Sequence, residues 1–283
     1  MREVAIIGAG DLGGAAAHTL ARRDIARVIT LIDDSQDKLA VAAGKALDIA
    51  EAAPVEGFAT ELSGSTDLYR SAGADVIVIA DRFRGGEWTG EEGLTLMRRL
   101  QQLAPRAIVL CAGAAGRELV ERGVLELKMA RQRVFGSAPE ALAGAARAIT
   151  ALALNGSARD VAMSVLGVPP AHIVIPWEDA TADGFSLVRR LDEPSRRRLE
   201  RTIAGLWPAG PYALAASAAK AVSAIAGRSR QTVCCFVAPD ASTAPRTRTA
   251  ALPVRLGPSG IVEVLTPRLS VTERIAFENG VML

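Results

Sequence analysis

The stretch EVAIIGAGDLGGAAAHTLARRDIARVITLIDD, residues 3–34, decides the fold. It opens with an apolar β-branched run, EVAII, passes through Gly8-Ala9-Gly10-Asp11-Leu12-Gly13, continues as a small-residue helical segment, and ends in a second run, VITLID, closed by Asp33. Strand, glycine loop, helix and strand in that order form a βαβ unit whose loop backbone can approach a pyrophosphate. The free N–H groups and the dipole of the helix attract the phosphates. Asp33 lies twenty residues past Gly13, where a carboxylate can accept hydrogen bonds from an adenosine ribose. With Asp34 beside it, it would repel a 2′-phosphate, so the pattern favours NAD over NADP. Asp11 sets a negative charge in the loop, which is compatible with phosphates only if its side chain points away.

Outward from this unit the same alternation continues to about residue 136, through FATEL, DVIVIA and RAIVLC with helical segments between them. These strands are continuous apolar runs, as expected of a parallel sheet covered on both faces. Beyond residue 137 an Ala-rich helix runs to about Asn155. Strands VAMSVLG and HIVIP, helices near 193–206 and 212–226, strands QTVCCFV, LPVRL and IVEVL, and a last helix from Val271 to about Asn279 follow. The expected fold is α/β, a doubly wound parallel sheet over residues 1–137 and a mixed α/β unit over 138–283. The stretch Pro239 to Arg248 reads as a mobile loop.

The totals exclude some function classes. The 283 residues are 49% hydrophobic and 23% charged, and 33 Lys+Arg against 31 Asp+Glu leave no field for steering a polyanion. Nucleic acid is not an expected partner. The run Ser195-Arg196-Arg197-Arg198 reads as the solvated face of a helix. Cys111, Cys234 and Cys235 have no metal spacing, and the adjacent pair would face opposite sides of a strand. No metal site, export signal or bilayer span is read, and a reducing, cytoplasmic compartment fits.

Gly8 to Gly14 with Ala17-His18, the block GKALDIAEAAPVEGF (44–58), GADVIVIA (73–80), LAPRAIVL (103–110), RVFGSA (133–138), SVLG, ALAASAAKAV (213–222) and LPVRLGPSGIVEVL (252–265) carry a likeness over nearly the whole chain. They closely resemble the NAD-dependent malate dehydrogenases of the malate/lactate dehydrogenase family. The resemblance implies a Rossmann domain followed by a substrate domain, assembly into homodimers or homotetramers, and hydride transfer between nicotinamide and a 2-hydroxy or 2-oxo acid. Gly8, Gly10, Asp11, Leu12, Gly13 and Asp33 are then the expected cofactor contacts. His18 falls on the first helix and is read as packing.

The family's chemistry needs a base, a carboxylate that orients it, and arginines that grip and polarise the substrate. Anchored on Gly136, the slot for the orienting acid is Leu142 and that for the gripping arginine is Ala145; only the outer arginine matches, at Arg147. After SVLG come Val168-Pro169-Pro170, and His172 follows about three positions beyond the expected base. The triplet that helps bind cofactor and substrate after the fifth strand reads Cys111-Ala112-Gly113. The segment from Ala80 to Pro105 is short, and it keeps Arg82 and Arg84 while placing Asp81 or Arg82 where either would crowd the pyrophosphate.

Two readings of His172 follow. In one it is a relocated base, oriented by Glu140 or Glu178, with Arg84 or Arg147 holding an acid; in the other it is the first residue of the strand HIVIP. They lead respectively to an active oxidoreductase on a substrate other than malate, and to a catalytically silent dinucleotide-binding or partner subunit. Cys111 reads as a buried small apolar residue, and Trp88 either caps the cleft or sits half-packed in its loop.

Overall fold

The computed structural model describes residues 1–33, 41–240 and 247–282. Asp34 and most of the 239–248 stretch lie outside them. In chain order the elements are β1 (Glu3–Ile7), α1 (Asp11–Arg22), β2 (Val28–Ile32), α2 (Val41–Glu56), β3 (Glu61–Ser65), β4 (Val76–Ile79), β5 (Asp81–Arg82), β6 (Gly86–Glu87), α3 (Gly90–Leu103), β7 (Ile108–Cys111), α4 (Gly116–Leu125), β8 (Val134–Gly136) and α5 (Ala138–Ala153). There follow β9 (Val161–Ala162), β10 (Leu166–Val168), β11 (His172–Val174), β12 (Thr181–Ala182), β13 (Phe185–Ser186), α6 (Leu187–Arg190), α7 (Glu193–Ala204), α8 (Pro211–Ile225), β14 (Val233–Val237), β15 (Ala250–Gly257), β16 (Gly260–Val264) and α9 (Val271–Met282).

One sheet runs in the order β11-β10-β15-β14-β8-β7-β4-β1-β2-β3, with β16 on β15. From β3 to β8 every pairing is parallel, and from β14 onward every pairing is antiparallel. The doubly wound half is thus the half whose strands are buried on both faces: β4 and β7 are buried at every position. A continuous sheet crosses from one half to the other through Phe236 opposite Gly136. The larger apolar cluster spans the parallel sheet, α1 and α8; a smaller one gathers Leu142, Val165, Ile175, Trp177, Leu187 and Ile203 under α5 and α7. Cys234 belongs to the smaller cluster and Cys235 to the larger, as the alternation of a strand requires.

Two expected elements shift, each for a local reason. The strand FATEL begins at Glu61 instead, because Asp24 Oδ1 takes the N–H groups of Ala59 (2.8 Å) and Thr60 (3.0 Å) before the ladder starts. The run VAMSVLG is cut in two: β9 joins a small sheet with β12 and β13, while β10 joins the main sheet. The helical segment between VITLID and FATEL runs through Pro54 to Glu56, and Gly57, at φ +79°, then turns the chain. A proline that late in a helix costs only one hydrogen bond near its end.

Candidate functional site

Gly8 leaves β1 at φ +110°, a conformation that favours glycine, and donates to Ile32 O at 2.7 Å. A Cβ on Gly13 would lie 2.0 Å from Gly8 O, so only glycine lets α1 start this close to the strand. The backbone is therefore that of a phosphate cradle. Asp11, the first residue of α1, is exposed and borders a groove that His18 and Lys45 also line. His18 is partly exposed and lies 3.3 Å from Glu56, a surface contact in place of the expected packing.

What stands in the cradle is a carboxylate of the chain itself. Asp81 Oδ1 accepts the Gly13 N–H at 3.0 Å, and Asp81 O accepts the Gly10 N–H at 2.9 Å. A Cβ on Gly10 would lie 2.3–2.5 Å from the Asp81 carboxylate atoms, so the space beside that glycine is full. Asp33 is 4% exposed, and its Oδ2 takes the N–H groups of Ala9 (2.8 Å) and Phe83 (3.0 Å). The acid expected to face a ribose is thus turned into the glycine loop and the segment after β4.

That segment is a short hairpin, β5 with β6, in which Asp81 pairs with Glu87 and Arg82 with Gly86. Glu87 performs at α4 what Asp81 performs at α1: Oε1 accepts the Ala114 N–H at 2.9 Å and Oε2 the Ala115 N–H at 2.7 Å. A Cβ on Gly113 would lie 2.2 Å from Glu87 Oε2. Gly13 lies in the first turn of α1, where a carboxylate on the amide stabilises by about 0.5–2 kcal/mol, whereas Ala114 and Ala115 lie in the turn that leads into α4. Lys45 Nζ donates to Gly10 O at 2.7 Å and lies 5.8 Å from the Phe83 ring. Arg82 lies 4.5 Å over the Trp88 ring and reaches Glu92 Oε1 at 2.5 Å. Trp88 is buried, neither half-packed nor exposed. Arg84 sits at the hairpin tip, exposed, at φ +58° and over the Phe83 ring at 5.2 Å. Beneath Glu87, burial first and that carboxylate second push the Cys111 thiol up to about 12, so it stays protonated and poorly nucleophilic.

A second polar cluster lies in the other half. Glu140, in the first turn of α5 and 3% exposed, accepts from Arg147 Nη2 (2.6 Å) and Lys220 Nζ (2.6 Å) on Oε1, and from the Cys234 N–H (2.8 Å) on Oε2. Arg147 Nη1 also reaches Met163 O at 3.3 Å. Arg147 and Lys220 border an open cleft of about 840 Å³ that Ser164 and Thr232 also line. Arg147, Arg159 and Lys220 against Glu140 and Asp179 leave this cleft net positive.

His172 does not join either cluster. It opens β11 opposite Val168 and packs under α9, where a Cβ on Gly280 would come 2.7 Å from its own Cβ. Its ring makes no hydrogen bond among the described residues. In the sheet β10, β15 and β14 separate β11 from β8, the strand that leads into α5, a lateral distance of roughly 15–20 Å at about 4.8 Å per strand. Neither Glu140 nor Glu178 orients the imidazole. Of the residues singled out in the sequence, the structure brings together Gly8, Gly10, Gly13, Asp33 and Asp81 at one place and Glu140 with Arg147 at another; it leaves His172 and Arg84 apart. Lys45, Glu87 and Lys220 were not singled out, although Lys45 and Lys220 lie in the blocks 44–58 and 213–222 that carry the resemblance.

Residues 2–115 match the family model described as lactate/malate dehydrogenase, NAD binding domain. Over nearly its whole length the chain is similar to malate dehydrogenases. Malate dehydrogenase of Desulforudis audaxviator is 26% identical over 99% of this chain and 95% of its own length, and that of Thermomicrobium roseum 28% identical over 99% and 94%. The fold is that of malate dehydrogenase from Salinibacter ruber (TM-score 0.82, 24% identity, 98% of this chain and 93% of that one). It is equally that of Cryptosporidium parvum lactate dehydrogenase complexed with lactic acid and nicotinamide adenine dinucleotide (TM-score 0.85, 19% identity, 99% and 94%). NAD is the cofactor that follows from the match of residues 2–115. Against this background, the glycines of the cradle fit the dinucleotide and the hairpin at 81–87 does not: Asp81 already occupies the glycine loop through the Gly13 N–H, and Glu87 occupies the turn after β7. Among the described residues, no helix is long and apolar enough to cross a membrane.

Proposed function

We propose that this chain is a family member that keeps the NAD-type scaffold and does not carry out hydride transfer with a 2-hydroxy or 2-oxo acid. One observation carries the reading: the only imidazole near the expected position, His172, faces α9 on an edge strand, remote from Glu140 and Arg147 and, among the described residues, without a carboxylate to orient it. Acid–base assistance is commonly worth about 10²–10⁴ in rate, and it requires the base within hydrogen-bond reach of the proton it moves. The slots for the orienting acid and the gripping arginine hold Leu142, fully buried in the smaller core, and Ala145. A silent dinucleotide-binding or partner subunit fits these contacts, with residues 1–137 as the cofactor half and 138–283 as the other.

A second reading has one observation in its favour. Arg147 and Lys220 border an open, net positive cleft in which the carboxylate of a small acid would find two donors. Under that reading the chain reduces a 2-oxo acid other than oxaloacetate. The test is NADH consumption by the purified chain across a panel of 2-oxo acids. No consumption above buffer is expected; any turnover that depends on a 2-oxo acid would overturn the first reading, and its loss in Arg147→Ala would establish the second.

A further inference from the structure

We propose that the hairpin formed by β5 and β6 is an internal pseudo-ligand that holds the dinucleotide cradle shut, with Asp81 and Glu87 taking the backbone N–H groups that a bound dinucleotide would take. The inference rests on reading residues 2–115 as an NAD-type domain and says what that domain does when no cofactor is present. Asp81 and Glu87 are direct partners across a two-stranded ladder. Like charges so placed, with Cβ atoms about 4.5–5.5 Å apart, oppose hairpin formation. The arrangement becomes favourable only when each carboxylate is met by its own set of donors, and the fold supplies two: Gly13 N–H at the start of α1 for Asp81, and Ala114 and Ala115 N–H at the start of α4 for Glu87. The hairpin sequence thus makes electrostatic sense docked and not free.

The remaining contacts close the same space. Phe83 N–H draws on Asp33, the residue placed to read a ribose, and the Gly10 and Gly113 positions have no room for even a methyl group beside the two carboxylates. Arg82, between Trp88 and Glu92, holds the hairpin on one side, and Lys45 links it to the glycine loop, with Nζ on Gly10 O and 5.8 Å from the Phe83 ring. A dinucleotide must displace two charged groups from sites whose electrostatics already suit an anion, and its apparent affinity falls by the fraction of molecules in which the hairpin is undocked.

NADH titrations of the full-length chain, followed by calorimetry, compare wild type with the Asp81→Ala/Glu87→Ala double variant. The double variant is expected to bind at least about tenfold more tightly, since the two carboxylates and their three charge-assisted contacts no longer compete. Equal affinity in the two forms overturns the pseudo-ligand and leaves the dinucleotide reading standing; failure of both forms to bind overturns the dinucleotide reading and the pseudo-ligand with it. Amide hydrogen exchange on the wild type alone gives a measurement that does not depend on the variant's folding. Without any nucleotide, the Gly13, Ala114 and Ala115 amides are expected to exchange slowly, and exchange at the rate of free loop amides would remove the docked hairpin from consideration.

Discussion

Glu140 is a buried carboxylate with three donors and no spare acceptor atom left unused: Arg147 and Lys220 share Oε1 and the Cys234 N–H holds Oε2. Its value lies in what it leaves behind when removed. Glu140→Ala strands two cations that are each only about a quarter exposed and orphans a buried backbone N–H at the start of β14. Breaking a buried ion pair by deleting one partner costs about 3–5 kcal/mol, and the residual solvent access of both cations lowers that to roughly 2–4. Urea unfolding of the variant is expected to show that loss; a change below about 0.5 kcal/mol, the range of an ordinary surface substitution, would mean the cluster contributes nothing. The sequence named Glu140 and Arg147 because they sit near an expected pair of slots. It did not bring Lys220 to them, since a partner eighty residues away is set by the packing of α8 on α5 and not by spacing along one helix.

At the scale of elements, the βαβ unit was legible because its constraints are local. Gly8 must reach φ +110° and Gly13 must let α1 pass within 2.0 Å of a carbonyl, measured to a Cβ that is not there. Gly13→Ala is therefore expected to destabilise the chain by about 2–4 kcal/mol, read as a lowered thermal midpoint, because the clash is with backbone that cannot yield. An unchanged midpoint would mean that α1 can tilt away. By contrast the state of the cradle was legible only as a suspicion that Asp81 or Arg82 would crowd it. The two residues part company for a reason that lies in three dimensions: Arg82 has an aromatic face and Glu92 to turn to, while Asp81 has the amide at the head of α1. Where strands began was also set non-locally, as when Asp24 takes two amides that the pattern FATEL assigned to a ladder. The break of VAMSVLG between two sheets has no signal in its apolar run.

Across the whole molecule, the buried thiols couple stability to pH on the alkaline side. Cys111 and Cys234 are each raised from an ordinary 9.0 to about 12, by burial first and then by Glu87 and Glu140 respectively, and Cys235 is raised by burial and by its neighbour Cys234. A folded pKa above the unfolded one means that the native state binds the proton more tightly. The contribution is complete below about pH 9, and it is lost between about 9 and 12 as unfolded chains shed protons that native chains keep. Each thiol costs about 1.4 kcal/mol per pH unit within that window. The free energy of unfolding, measured by urea at steps from about pH 8 to 10.5, is expected to hold and then fall, and to fall less steeply in Cys111→Ala, where one of the coupled groups is gone. Identical slopes in the two proteins would show that Cys111 ionises as readily in the native core as in the unfolded chain, so that its burial at the end of β7 does not hold the proton. The same experiment therefore reads the core at the end of β7, where burial, the larger cause of the shift, keeps the thiol protonated.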